Sequence, residues 1–203
     1  MVKLARMTAS SRREQTKIQN RETILAAARQ VFAQMGFAAA TVRDIIRATP
    51  LASGTFYNYF KSKEEVYQAL RDEVALKVRP RLAQARATAS SAEEFLASSF
   101  RAFFQFVAEN RGDAAPVPER FRMDSPQVLE GFAELREDIA AAVARGLLPP
   151  TDVGALGAAL TGVAFELAER VKAGADVEAT TQFATRLFLG GLAALPGAQS
   201  AIG

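Results

Sequence analysis

SGTFYNYFKSKEE, residues 53–65, gathers Phe56, Tyr57, Tyr59 and Phe60 with Lys61 and Lys63 behind a Ser-Gly-Thr opening. Rings and cations at that density suit two settings: a hydrophobic elbow in a helical core, or a surface laid against a phosphate backbone. Spacing separates the two populations. Phe56 and Phe60 stand four apart, so on a helix they share a face and point inward. Tyr57 and Asn58 are left on the outer side, with Ser53, Gly54 and Thr55 at a helix N-terminus whose free N–H groups and partial positive charge suit a phosphate or a base edge. Tyrosine hydroxyls and lysines such as Lys61 and Lys63 are common phosphate contacts, and asparagine pairs bidentately with adenine.

The flanking residues supply the rest of a helical unit. Ile24, Ala28, Val31, Phe32 and Met35 recur at helical spacing, and Gly36 follows as a stop. Thr41-Val-Arg-Asp44 reads as a capping box opening a short helix whose buried side is Val42, Ile45 and Ile46. Pro50 closes it, because the residue before a proline is pushed out of the helical region. A second short helix is expected from about Ser53 to Phe60. Ser62-Lys-Glu-Glu65 is a further capping box, and the long helix it opens is expected to stop before Pro80. Three helices over residues 21–60 form a helix-turn-helix of the kind that places its second helix in the major groove.

Charge supports that reading. Residues 1–63 hold eleven Lys or Arg against three acids, a balance of +8, whereas the remainder carries −5. A basic head on an acidic body suits a polyanion. Residues 1–20 are polar and aperiodic and read as a mobile basic arm. The N-terminus has cations but no apolar signal region, and no run reaches the roughly 20 apolar residues that span a bilayer. The cytoplasm is the expected compartment, with no membrane contact.

Composition also argues against an enzyme. Among the 203 residues there is no cysteine and no histidine, which removes thiolate chemistry, the commonest general base and the commonest metal ligand. Glu166 and Glu169 stand three apart, but di-iron helical sites need Glu-x-x-His pairs. No phosphate loop or nucleophile–base pair is present. No catalytic residue, metal site or cofactor is expected.

The remaining chain is helical too, over about 92–110, 126–145, 151–172 and 177–195, with a break around residues 112–120 that holds at most a turn of helix. The fold class is all-α, with about nine helices. Seven of the 14 phenylalanines lie between residues 95 and 132. Plain core packing competes with a pocket wall for an apolar or aromatic ligand, for which Phe100, Phe103, Phe104, Phe121, Phe132 and Phe165 are the candidates. Gly154, Ala158 and Gly162 form a small-residue stripe on the eighth expected helix, and Leu187 and Gly191 lie on the ninth. Such stripes let helix backbones approach closely, within or between subunits.

The run from RETILAAARQVF through SGTFYNYFKSKEEVYQAL, residues 21–70, resembles the TetR family of bacterial transcriptional regulators. The resemblance implies a DNA-binding head over residues 21–62, after the arm at 1–20, and a ligand-binding and dimerisation body over 63–203. It places the DNA surface on Thr41, Arg43, Ser53, Gly54, Thr55, Tyr57, Asn58, Tyr59 and Lys63. It implies a homodimer joined by the last two helices, a palindromic double-stranded operator, and a small-molecule effector that releases a repressor; the phenylalanine cluster makes a largely apolar effector the expected one. A helical DNA-binding regulator without an effector is the alternative. The sequence departs from the family in its turn, where Thr49-Pro50 replaces the usual Ala-Gly and Ala52 replaces a serine, so Ser53 is left to cap the next helix.

Overall fold

The computed structural model describes residues 2–111 and 126–195, with side chains over 12–111 and 127–195. These residues form eight helices and no strand. They are α1 (Val2–Ala39), α2 (Val42–Arg47), α3 (Ser53–Tyr57), α4 (Lys63–Ala87), α5 (Ala92–Glu109), α6 (Pro126–Ala144), α7 (Val153–Lys172) and α8 (Val177–Ala193). The break around 112–120, and with it Phe121, lies outside the described residues. Two compact units result, one reaching Asp72 and the other beginning at Glu73.

In the first unit, Ile24, Leu25, Ala28, Val31 and Phe32 of α1 close over Ile45, Phe56 and Phe60. Burying each large side chain stabilises the head by about 1.5–3 kcal/mol. Gly36, at φ 75°, bends the chain where a Cβ would be strained, and Phe37 turns back into the core. There its ring meets those of Phe32 and Tyr67 at 5.4 and 4.8 Å. Val66, Tyr67, Ala69 and Leu70 of α4 belong to this same core, which is why the unit ends at Asp72 rather than at residue 62. Met35, expected inside, is exposed, since the bend at Gly36 ends the helical register just beyond it.

Two boundaries differ from expectation. α1 is helical from Val2, where a separate arm was expected. Residues 2–23 contain neither glycine nor proline, and a polar stretch needs no apolar stripe to extend a helix already anchored downstream. α4 runs through Pro80. Proline removes one helix hydrogen bond at a cost of about 3 kcal/mol. Side chains on both sides of it hold the helix: Ala75 and Val78 are buried before Pro80, and Arg86, only 5% exposed after it, donates to Asp138 at 2.6 Å.

In the second unit α5 packs against α7 and α8, and α6 packs against α7. The starts of α5, α7 and α8 have side-chain caps: Ser91 Oγ accepts from Glu94 N–H at 3.1 Å, Asp152 from Ala155 at 2.9 Å and Asp176 from Ala179 at 2.7 Å. Gly146 and Gly174, both at positive φ, follow the ends of α6 and α7. Arg79 of α4 binds Glu130 at 2.8 Å and Glu134, both on α6. Among the described residues no helix is long and apolar enough to cross a membrane.

Candidate nucleic-acid interface

α2 is set by the expected capping box. Thr41 N–H and Oγ1–H donate to Asp44 Oδ2 at 3.0 and 2.5 Å, and Asp44 N–H returns to Thr41 Oγ1 at 3.3 Å. These bonds hold the Asp44 carboxyl below its ordinary value, the Thr41 hydroxyl being the largest cause. Thr41 is thus exposed, but its hydroxyl is engaged in the cap. Arg43, one residue into α2, is exposed.

α3 is five residues long and ends before Phe60, with the bonds Asn58 N–H to Thr55 O and Tyr59 N–H to Phe56 O tightening its last turn. Phe56 and Phe60 point into the core as their spacing requires. Tyr57 is 57% exposed, and its ring stands edge-on to Phe56 at 5.4 Å, which restrains it on the outer face. Ser53, Gly54 and Asn58 are exposed beside it, Thr55 is half-buried, and Tyr59 leans partly onto the core. Ser53 is not the cap: Ala52 occupies that position, and no side chain closes the helix start.

The two lysines diverge. Lys61 is exposed, and its N–H donates to Glu65 Oε2 at 2.7 Å, while Glu65 N–H donates to Ser62 Oγ at 3.2 Å, starting α4. Lys63 turns inward. Its ammonium donates to the carbonyls of Phe37, Ala38 and Ala40 at 2.8, 3.2 and 2.8 Å and lies 4.6 Å from the Phe37 ring centre. An ammonium has three donors, and all are satisfied here. Lys63 therefore fastens the end of α1 to α4 instead of standing ready for a phosphate.

Arg12 and Arg13, the basic-arm residues expected to reach phosphates, line an open groove of α1 with Tyr59, joined there by Thr16 and Lys17, which were not expected. Lys17 escaped the sequence reading because nothing apolar marks residues 12–17 as a helix face; the i, i+4 spacing of Arg13 and Lys17 was the available signal.

In the second unit, Phe188, Phe100, Phe104, Phe103, Phe165 and Phe132 form a continuous row of rings with neighbouring centroids 5.7–6.3 Å apart. Its members differ in setting. Phe100 and Phe104 are 3% and 0% exposed, hence core, while Phe103, Phe132 and Phe165 are half-buried. Gly154, Ala158 and Gly162 all face outward, as do Gly191, Leu187 and Phe183, the last two 52% and 59% exposed. Within the protomer Gly157 is the glycine that meets α6, with Arg136 Cγ 3.4 Å from where its Cβ would stand.

Residues 24–70 match the family model described as bacterial regulatory proteins, tetR family. Residues 24–70 are thus a tetR-type N-terminal head. Solved structures agree on the fold. The fatty acid degradation regulator FadR from Bacillus halodurans aligns at 24% identity and a TM-score of 0.67, over 85% of this chain and 96% of that one. A tetR-family regulatory protein from Rhodococcus RHA1 gives 23% and 0.67, over 85% and 96%. The transcriptional regulator FadR from Bacillus subtilis, solved in complex with stearoyl-CoA, gives 21% and 0.70, over 84% and 98%.

The tetR-family head builds its unusual turn without a left-handed residue. Thr49 Oγ1–H donates to Ile46 O at 2.8 Å, and the same oxygen accepts from Leu51 N–H at 3.2 Å. One hydroxyl thus bridges both sides of Pro50, and no non-glycine residue of the described chain has positive φ.

Proposed function

We propose that this protein is a homodimeric transcriptional regulator acting in the bacterial cytoplasm as a repressor. It binds a palindromic operator through α3 and is released by a small, largely apolar effector. The observation that carries the DNA-binding part is the exposed set Arg43, Ser53, Gly54, Tyr57 and Asn58, held on a +8 head by the inward packing of Phe56 and Phe60. Two such heads on a dimer would reach successive major grooves about 34–36 Å apart.

The outward small-residue face of α7 and α8 supports the dimer. For the effector, the half-buried rings Phe103, Phe132 and Phe165 offer an apolar lining, and a FadR with the same fold was solved with stearoyl-CoA. A long acyl chain is therefore the effector class to try first. Among the described helices α4 is the one that contributes residues to both units, and binding in the body would act on the head along it. The effector can shift DNA binding only by its differential affinity for the two states. The alternative, a regulator without an effector, is favoured by Phe100 and Phe104 being fully packed.

Selection from a random duplex library tests the reading, with recovered sites expected to be palindromic. On such a site Asn58→Ala should lower preference at one position by about 1–3 kcal/mol, while Tyr57→Phe weakens binding to every sequence alike. Equal losses from both variants on selected and random duplexes would refute the division of roles. Acyl-CoAs and fatty acids added to the complex should release DNA; no effect from any of them would favour the effector-free alternative.

A further inference from the structure

The open groove lined by Arg12, Arg13, Thr16, Lys17 and Tyr59 has no carboxylate in its lining. Residues 12, 13, 16 and 17 form one stripe of α1, because positions four apart on a helix are neighbours. Arg13 and Lys17, at that spacing, repel each other, and Arg12 adds a third positive charge. A helix gains nothing by itself from such a stripe; an anion in the groove relieves it. Thr16 Oγ1–H is committed to Arg12 O at 2.9 Å, so it shapes the wall and leaves the donors to the cations and the phenol. Tyr59 ties the groove to the DNA-facing surface, since it follows exposed Tyr57 by two residues while its ring leans on the head's core. Residues 12–17 precede the segment matched by the family model, which begins at residue 24.

We propose that this groove is a phosphate-binding subsite that grips the DNA backbone beside α3. The proposal rests on the DNA-binding reading above. Arg12 to Lys17 spans about 7.5 Å of helix axis, enough for the three cations to serve one strand of phosphates. The contact carries no sequence information; it fixes the head's position on the duplex and raises its affinity for any DNA.

The test compares wild type with the triple variant Arg12→Gln/Arg13→Gln/Lys17→Gln on a labelled mixed-sequence duplex. Each lost phosphate contact lowers the slope of log K against log salt by about 0.9, so three contacts lower it by about 2.7. Between 50 and 200 mM salt the wild type should then lose about 40-fold more affinity than the variant. Melting should be unchanged, because the three side chains are exposed and glutamine is a comparable helix former. Tyr59→Phe, which keeps the packed ring, should weaken duplex binding without changing melting. Equal slopes for wild type and the triple variant, with duplex binding intact, would overturn the subsite and leave the DNA-binding reading standing. No duplex binding by wild type at any salt would overturn that reading and the subsite with it. Tripolyphosphate provides the other arm: if the triple variant loses a thermal shift that wild type shows, while the duplex slopes match, the groove takes free polyphosphates and its assignment to DNA is overturned.

Discussion

Gly162→Leu separates a dimer interface from an idle surface by the sign of its effect. In the lone protomer a Cβ at Gly162 meets nothing within 4 Å. Replacing an exposed mid-helix glycine by leucine should therefore stabilise α7 by roughly 0.8 kcal/mol through helix propensity. For a chain of this size that raises melting by about 2–3 °C. An interface reverses the outcome. If the Gly154, Ala158 and Gly162 stripe meets its symmetry mate backbone to backbone, each leucine is overpacked at a cost of about 1–3 kcal/mol, and two-fold symmetry counts it twice. Dimerisation should then weaken by about 2–6 kcal/mol, which is roughly 30- to 20,000-fold. Sedimentation over a concentration series reads the dissociation constant. Melting at several protein concentrations reads the same linkage, since a dimer's midpoint depends on concentration. Gly162→Ala provides a graded step with one methyl. A Gly162→Leu protein that melts higher and dimerises as tightly as wild type would refute the placement of the interface on this stripe.

Lys63→Ala should destabilise the protein in the absence of DNA by about 1–3 kcal/mol, since a half-buried ammonium loses its bonds to three backbone carbonyls; an unchanged melt would count against the fastening role of Lys63. Phe104→Ala should cost about 3–5 kcal/mol as a plain core deletion, and Phe165→Ala less than about 2 kcal/mol because its ring is already partly free. Equal denaturant midpoints for those two variants would deny the distinction between core and pocket lining. The carboxyls of Asp44, Glu94, Glu134 and Glu178 are all held below their ordinary values, by hydrogen bonds from Thr41, Ser90, Arg79 and Arg101 respectively. A depressed folded-state value gives stability that is present above the ordinary 3.8 for Asp and 4.5 for Glu and is lost as pH falls through the folded value. Urea midpoints should hold near neutrality and fall below about pH 4, and a flat profile down to pH 2.5 would contradict these pairings.

Much of the fold was legible because local chemistry and burial agree in it. The capping pair Thr41 and Asp44 sets a helix start that needs only neighbouring residues. Phe56 and Phe60 announced the inner face of α3 by spacing alone. What failed was continuity. The helicity of residues 12–20 depends on the anchored helix that follows, and the passage of α4 through Pro80 depends on contacts made by residues distant in sequence, Asp138 among them.

The site was less legible, because residue type fixes what a side chain can bind but not what it meets. Lys63 and Lys61 are equally good phosphate ligands on paper. One finds three backbone carbonyls near residue 37 within reach, and the other remains exposed. The same reasoning divides the threonines: Thr41 closes a cap, Thr49 bridges a turn, and half-buried Thr55 is left with the partly exposed position beside Tyr57. The Thr49-Pro50 turn has a consequence for α3. A turn that uses a hydroxyl in place of a left-handed glycine lets α3 begin at Ser53 with Ala52 as an uncapping neighbour. Removing that hydroxyl by Thr49→Val would leave Leu51 N–H, a half-buried donor, without its partner, and the disturbance lies two residues from the start of α3. DNA binding should thus weaken more than head stability does, because a small tilt of α3 displaces Tyr57 and Asn58 together while the core beneath Phe56 retains its packing.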